Sequence, residues 1–380
     1  MTAVLTDPAT AARAVAAVVS GDATHAGHTD RAAHTDRARR IAEAVTALKG
    51  SGLLAATVPA RLGGPELPPS QIADALRILA TADGSLAQIP QSHFTFSRWL
   101  FAGDHPDLEE YWADRLRAGT LIANAQAERD PVVLQTNTLT GTKVFCTGSP
   151  SADVLAVTAR HPGEDRQTLA AFLDADTPGI RVHDDWDALG QRFTGSGTVT
   201  LQDAAVPDHR VHTFDRALAL PGYGAFAQLL HTAIDVGIAT SALDAAVDLA
   251  GNGSAPDDLT AQLAGELTAQ RFAAEAVLEK AGRALDALWA HPDPTDADRA
   301  DTALQVAAAK ATTGAVTVDV ASRIFELTGT RGTSGHGDEG LDRHWRDLRT
   351  HTLHERRRDK AAVLGRAALT GEAPQLGPQL

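Results

Sequence analysis

The periodicity of the apolar residues changes twice along the chain, and this change is the strongest constraint on its fold. In the first third, apolar positions recur at helical spacing, as in Ile72, Leu76 and Leu79. The middle third consists of short runs bounded by turn residues, such as "SGTVTLQDAAV", where apolar and polar residues alternate. The last third returns to long helical segments whose leucines and alanines lie on one stripe. The chain is therefore helical at both ends and β-stranded between them.

This order predicts an α+β fold with three domains. We place an N-terminal helical domain at residues 1–118, a small central β domain at 119–212 and a C-terminal helical bundle at 213–380. With 43% hydrophobic residues in 380, the chain can bury a large core. Long bundle helices often also form interfaces between subunits, so we expect an oligomer.

Charge and cysteine content exclude several classes of protein. A formal net charge of −14 argues against a nucleic-acid partner or an anionic membrane, because both require a basic face. The single cysteine, Cys146, excludes an internal disulfide and a multi-cysteine zinc site. We see neither a signal peptide nor an apolar run long enough to span a membrane. A cytoplasmic location is the expectation.

The heptapeptide "RTHTLHE" near the C-terminus is the clearest candidate for chemistry. It carries His351, His354 and Glu355, a set consistent with a metal site, a proton-transfer site or a solvated helix end. A zinc site requires further ligands, and we find no matching Cys, His or Glu cluster elsewhere. Histidine titrates near neutrality and is suited to moving protons. We therefore expect no metal and favour proton transfer.

Four stretches, spread over all three predicted domains, carry a resemblance to a known family. They are "QIPQSHF", "TGTKVFCTG", "HDDWDALGQRFTGSGTVTLQDAAV", and "FELTGTRGTSG" together with "LDRHWRDLRTHTLHE". In their order and separations they resemble the acyl-CoA dehydrogenase superfamily, and within it the flavin-dependent monooxygenases typified by dibenzothiophene monooxygenase. The resemblance implies an N-terminal helical domain, a central β-barrel or β-sandwich, a C-terminal four-helix bundle and a homotetramer, a dimer of dimers.

The resemblance also implies a reaction. Members of this group take reduced flavin and react it with O2 to form a C4a-(hydro)peroxyflavin, which transfers one oxygen atom to a small heteroatom-bearing or aromatic substrate. S-oxidation, N-hydroxylation and aromatic hydroxylation all remain open. The implied cofactor is reduced FMN, with FAD as the alternative. No GxGxxG element follows a strand here, so we expect a separate flavin reductase as partner.

Site residues follow from the same resemblance. Cofactor binding is implied for three segments: Phe145, Cys146 and Thr147 along the flavin, Trp186 over one face of its ring, and Arg331, Thr333 and Ser334 at its phosphate. Catalytic or pocket-lining roles are implied for His93, Asn124, Thr147, His351 and His354. Of the two C-terminal histidines, we expect His354 to lie nearer the flavin.

Two other functions remain open. Acyl-CoA dehydrogenases use a glutamate near this position to remove the α-proton of a thioester, and Glu355 could be that base. Arginines 356 to 358 follow it here, however, where the dehydrogenases have Gly-Thr. Many relatives also carry a basic phosphate anchor after the first long C-terminal helix, whereas no basic residue lies between Gly251 and Gln270. A noncatalytic binding or scaffold subunit is therefore the third hypothesis.

Overall fold

The N-terminal segment of the computed structural model is helical. The structure describes residues 5, 7–20, 30–101, 106–251, 256–334 and 340–380. The helices of this segment are α1 (Pro8–Ser20), α2 (Asp30–Gly50), α3 (Pro69–Ala82), α4 (Gly84–Gln88), α5 (Gln91–Trp99) and α6 (Pro106–Arg117). Proline at the first position of α3 suits a helix start, and its predicted apolar stripe is buried. The side chain of Asp83 then caps α4 by accepting from the amides of Ser85 and Leu86.

Two four-stranded sheets follow. Their strands are β1 (Ile122–Ala125), β2 (Ala127–Gln135), β3 (Thr138–Val144), β4 (Val154–Ala159), β5 (Leu169–Asp174), β6 (Ile180–Val182), β7 (Val199–Ala205) and β8 (Val211–Thr213). One sheet has the order β1-β4-β5-β8, with β1 and β4 parallel and the other pairs antiparallel. The second sheet is antiparallel, in the order β2-β3-β7-β6.

The first sheet is buried on both faces. All six residues of β4 are buried, and alternate side chains of the strand enter different cores. Leu155 and Val157 pack in the core that also holds Leu201 of β7, between the two sheets. Val154 and Ala156 join the core that the α5 and α6 tryptophans enter. The sandwich is therefore attached to the N-terminal helices through its first sheet.

Long helices form the C-terminal segment: α7 (Phe214–Ala219), α8 (Tyr223–Gly251), α9 (Asp258–Ala290), α10 (Asp296–Thr328), α11 (Asp342–His351) and α12 (Arg357–Thr370). Helix α10 packs against α8, α9 and α12. A capping box between Thr295 and Asp298 fixes the start of α10. This architecture confirms the predicted fold class. Within the described residues, no helix combines the length and the apolar composition that a membrane span requires.

Helices α3 and α8 share one hydrophobic core, which joins the two ends of the chain. Leu76 and Leu79 of α3 pack in the same cluster as Leu230 and Ile234 of α8. At their crossing, a Cβ on Gly237 would lie 2.3 Å from the carbonyl oxygen of Arg77, so only glycine allows this approach. The N-terminal and C-terminal helices therefore pack as one unit. The division into domains at residues 118 and 212 stays a prediction.

Candidate functional site

The end of α11 places three imidazole rings together. The helix ends at His351, and the following turn bonds the amide of His354 to the carbonyl of His351 at 3.1 Å. His231 of α8 lies against both, with ring centroids 5.1 Å from His351 and 5.8 Å from His354. We call His231, His351 and His354 the histidine cluster. The structure thus brings the two predicted histidines together and adds a third.

An ion pair lies beneath the histidine cluster. Asp235 and Lys310 are buried, and Lys310 Nζ lies 2.7 Å from Oδ2 of Asp235. The other carboxylate oxygen accepts from Nδ1 of His351 at 2.6 Å. On the far side of that ring, Nε2 of His351 lies 3.0 Å from Nδ1 of His231. Four side chains from α8, α10 and α11 therefore form one continuous hydrogen-bonded line.

Burial and charge keep the histidines of this line neutral. Burial lowers the pKa of His351, although the carboxylate of Asp235 acts in the opposite direction. Burial, followed by the positive neighbours, holds the pKa of His231 well below its ordinary value. For Asp235, Lys310 and His351 outweigh burial and lower the pKa of the carboxyl. At neutral pH the line therefore contains one anion, one ammonium and two neutral imidazoles.

His354 occupies the solvent side of the histidine cluster. The residue is exposed, yet its ring stacks on that of His231 at an interplanar angle of 24°. Desolvation of the ring, followed by His351 and Lys310, lowers the pKa of His354. This placement puts it on the accessible side of His231.

Glu355 is engaged by two partners. Its Oε1 accepts from the side-chain amide of Gln228, and its Oε2 lies 2.9 Å from Nζ of Lys360. Both oxygens of this carboxylate are thus occupied by contacts within the protein. The geometry therefore argues against Glu355 as the α-proton base of a dehydrogenase.

The sequence "VFCTG" forms a turn at the end of β3 instead of continuing the strand. Phe145 adopts a positive φ of 54° and leaves 59% of its surface exposed. It meets Trp186 edge to face at 6.2 Å between ring centroids. Cys146 points into the core between the sheets, where burial raises the pKa of its thiol to about 12. The thiol is therefore enclosed in the core, and the contact of Cys146 with the cofactor stays a prediction.

A chain of hydroxyl groups lies behind this aromatic pair. Thr147 Oγ1 is 2.8 Å from Oγ of Ser196, which is 2.7 Å from Oγ1 of Thr194. Thr194 donates to the carbonyl of Gln191, and the indole of Trp186 donates to the same carbonyl. Thr147 and Trp186 are thus linked through the carbonyl of Gln191, and their contact with the cofactor stays a prediction.

The loop that carries Trp186 is attached to α11. The amide of Gln191 donates to Asp347 at 2.6 Å, and the amide of Gly190 donates to Thr350 at 2.8 Å. A Cβ on Gly190 would lie 2.1 Å from the carbonyl oxygen of Arg346, so a side chain here would block the contact. Helix α11 therefore positions both the Trp186 loop and His351.

His93 and Asn124 differ in how far the structure supports them. His93 is fully buried: its Nε2 bonds the carbonyl of Leu54 at 2.7 Å, and its Nδ1 accepts from the amide of Ile122 at 3.1 Å. Burial lowers the pKa of His93 to about 4. Both nitrogens are thus engaged by the main chain, which fits a structural role, and the contact of His93 with substrate stays a prediction. The half-buried Asn124 donates to Ser92.

The predicted phosphate residues lie apart from the histidine cluster. Arg331, Thr333 and Ser334 are exposed, in or just after a 3-10 helix (Gly329–Thr333) at the end of α10. The axial distance from Lys310 to that end is about 27 Å at 1.5 Å per residue. These three residues therefore lie outside the hydrogen-bonded line, and their contact with the phosphate of the cofactor stays a prediction.

Sequence reasoning missed His231, Asp235 and Lys310. Their signal was weak: His231 and Asp235 are four apart and share one face of an apolar helix, and Lys310 interrupts an alanine-rich one. Among the described residues, no group of three or more histidine, cysteine, aspartate or glutamate side chains has the geometry to hold a metal ion.

Comparisons with known proteins place this geometry in a family. Residues 118–204 match the acyl-CoA dehydrogenase middle domain, and residues 229–358 match the acyl-CoA dehydrogenase C-terminal domain. Dibenzothiophene monooxygenase of Mycolicibacterium goodii is 31% identical over 362 residues, covering 86% of this chain and 87% of that protein. The probable FMNH2-dependent monooxygenase SfnC of Pseudomonas putida is 29% identical, covering 86% and 88%.

A solved structure agrees over the whole chain. FMN-bound TdsC from Paenibacillus sp. A11-2 superposes with a TM-score of 0.86 and 26% identity, covering 98% of this chain and 100% of that one. Together with the sequence matches, this similarity confirms the resemblance predicted from the four stretches. The chain belongs to the acyl-CoA dehydrogenase superfamily and, within it, to the group of flavin-dependent monooxygenases that includes dibenzothiophene monooxygenase.

Proposed function

We propose that this chain is the oxygenase component of a two-component system. It takes reduced FMN from a separate reductase, inserts one atom of O2 into a small substrate and releases the other as water. The balance is FMNH2 + O2 + S giving FMN + SO + H2O. The similarity to FMN-dependent monooxygenases carries this proposal. The buried, neutral imidazoles of His231 and His351, close to the Trp186 loop, support it.

The residues present fit an FMN. The exposed ring of Phe145 and the half-buried indole of Trp186 offer apolar surface to a flat ring system. Thr147 is buried behind them with its hydroxyl bonded to Ser196, and its contact with the cofactor is part of the proposal. When bound, reduced FMN supplies the two electrons that the reduction of O2 requires. The protein's part is to orient the ring, to exclude water and to hold protons at the histidine cluster.

We infer that the working unit is a homotetramer. Arg331, Thr333 and Ser334 are exposed at the end of α10 and accessible to a second copy. A second copy that brings its own Gly329–Thr333 turn to the cofactor would complete the site. Sedimentation of the purified protein tests this: a monomer that binds FMN fully would contradict it.

The test of the function is oxygen labelling. The protein is mixed anaerobically with photoreduced FMN and dibenzothiophene, an aniline or a phenol, and then exposed to ¹⁸O2. We expect one labelled atom in the oxidised product of at least one probe. Oxidised FMN is the control and gives no product, and FADH2 gives less than FMNH2.

Two outcomes would replace the proposal. Bleaching of bound oxidised flavin by an acyl-CoA, without labelled product, would favour the dehydrogenase. Absence of flavin binding in either redox state would favour the scaffold hypothesis. The contacts of Glu355 with Gln228 and Lys360 make the first outcome unexpected.

A further inference from the structure

The line from Lys310 to His231 has a defined direction. An ammonium has only donors, and the carboxylate of Asp235 has only acceptors. Because Asp235 is ionised, His351 must donate to it from Nδ1, which leaves a lone pair on Nε2 of His351. His231 must then donate from Nδ1 to that lone pair. The remaining nitrogen of His231, Nε2, consequently carries a lone pair.

The surroundings leave that nitrogen as the end of the line. In the described part of the chain, no hydrogen bond reaches Nε2 of His231. On the same helix, Gln228 donates to Glu355, whose charge Lys360 of α12 balances. His354 covers one face of the His231 ring. The charge of Lys310 of α10 is balanced by that of Asp235, so the four side chains of the line carry almost no net charge until a further proton binds.

We propose that the buried Asp235–Lys310 pair sets the tautomers of His351 and His231, and that His231 is the residue which accepts and returns protons through Nε2 during oxygen transfer. The proposal rests on the proposed monooxygenase function. Asp235 and Lys310 act as positioning residues. Their role is to keep every proton in the line pointing toward Asp235.

The proton balance of this step closes. A proton that binds Nε2 of His231 gives an imidazolium, whose Nδ1–H still bonds to His351 and whose charge Asp235 stabilises through that ring. The same proton then leaves Nε2 toward the oxygen atom that departs as water. Both histidines return to their starting tautomers, and the line needs no oxidant or reductant of its own.

The substitution Asp235→Asn should reverse the direction of the two hydrogen bonds that His351 makes in the line. Lys310 can only donate, so it takes the amide oxygen and turns the amide NH2 toward Nδ1 of His351. His351 then donates from Nε2 to Nδ1 of His231, and His231 carries its proton on Nε2. The site gains a donor in place of an acceptor, with almost no change in side-chain volume.

Histidine ¹⁵N NMR of the flavin-free protein reads the tautomers directly. We expect Nδ1–H at His231 and His351 in the unchanged protein, and Nε2–H at both in Asp235→Asn. Asp286→Asn is the matched control: Asp286 accepts from Ser70 on α3, remote from the histidines, and its replacement leaves both tautomers as they were. Nε2–H at His231 in the unchanged protein, or equal tautomers in both proteins, would overturn the proposal.

Turnover with reduced FMN gives a second measurement. In Asp235→Asn we expect at least a tenfold loss of product per FMNH2 consumed, with hydrogen peroxide formed instead, and loss of the acidic limb of the pH profile. If that variant does not fold, His231→Gln serves: it keeps a donor toward His351 but has no basic nitrogen. We expect the same tenfold loss with His351 still protonated on Nδ1, and unchanged product yield in His231→Gln would contradict the proposal.

The proposed monooxygenase function and the proposed role of the Asp235–Lys310 pair can be contradicted independently. If the unchanged protein forms no product with any probe, the proposed function fails, whatever the NMR tautomers show. If it forms product and the tautomers differ from those expected, only the role of the Asp235–Lys310 pair fails.

Discussion

Two buried carboxylates, Asp235 and Asp347, lie in opposite electrostatic situations. Asp235 contacts Lys310 and His351 directly, and these partners lower its pKa despite burial. Asp347 accepts from the amide of Gln191 and lies near Asp83, so burial and that second carboxylate raise its pKa to about 6. The pKa of a buried carboxyl is thus lowered where a cation is its direct contact partner and raised where the nearest charge is a second carboxylate.

The reason for the difference is the position of the arginines. Arg37 bonds Asp83 through Nε at 2.8 Å, and Arg343 lies 3.8 Å from the same carboxylate. The positive charge of both arginines therefore lies next to Asp83. Asp347 is left to hold the Trp186 loop by a hydrogen bond, a task that either protonation state of a carboxyl can perform. One carboxylate accepts from His351 in the hydrogen-bonded line, and the other anchors a loop.

The largest effect is expected when Asp235 is removed. Asp235→Ala leaves Lys310 buried without its anion, which costs about 3–5 kcal/mol in the free energy of unfolding. Urea denaturation at pH 7 measures it. The double variant Asp235→Ala, Lys310→Met should recover part of the loss because no uncompensated charge remains. A loss below about 1 kcal/mol in the single variant would mean that the pair is not buried as described.

Breaking the ion pair between Arg37 and Asp83 should cost less than removing Asp235. Arg37→Met removes the closest cation from Asp83, but Arg343 stays at 3.8 Å. We expect a loss of about 3 kcal/mol, at the lower end for a broken buried pair. The comparison with Asp235→Ala under identical denaturation conditions is the measurement. A larger loss than in Asp235→Ala would reverse the ranking of the two groups.

The contribution of Asp347 to the free energy of unfolding should decrease as the pH rises, whereas that of Asp235 should not. Its pKa in the folded protein, about 6, lies above the ordinary 3.8, so the folded state binds more protons between those values. Its contribution to the free energy of unfolding therefore falls as the pH rises from about 4 to about 6. Asp347→Asn keeps an acceptor for Gln191 without this titration.

The measurement is the difference in unfolding free energy between Asp347→Asn and the unchanged protein. We expect it to shift in favour of the variant by about 2 kcal/mol across that pH interval. A pH-independent difference would show that Asp347 titrates normally.

The smallest effect is expected at Thr350. Thr350→Val removes the acceptor for the amide of Gly190 and leaves α11 otherwise intact. We expect a loss of about 1 kcal/mol in stability and weaker binding of FMN, because the Trp186 loop loses one of its attachments. Fluorescence titration with FMN measures the second effect. Thr370→Val, in α12, is the surface control and should change neither quantity.

Two of the three clustered histidines were predictable because they lie in one short local motif. "RTHTLHE" places His351 and His354 one turn apart in any helical context. The turn at "VFCTG", by contrast, was not predicted, because the stretch continues the pattern of the strand before it. His231, Asp235 and Lys310 were not predictable from such patterns. They lie in separate long helices, and their contacts span 75 to 120 residues of sequence.

His93 and Cys146 show what a sequence motif does not predict. Both lie in stretches that resemble the family, which implies a catalytic or pocket-lining role for His93 and a cofactor contact for Cys146. The structure turns His93 toward two main-chain groups and Cys146 into the core between the sheets. A motif fixes the position of a residue along the backbone, but the direction of its side chain depends on the neighbours that surround it.

The sequence by itself determined the order of helices and strands, because apolar periodicity and turn residues are local properties. It also determined the family, through four stretches in order. Only the tertiary structure decided which charges meet: Lys310 with Asp235, Arg37 with Asp83 and Lys360 with Glu355. Burial and distance set the strength of each pair, and both quantities exist only once the helices have packed.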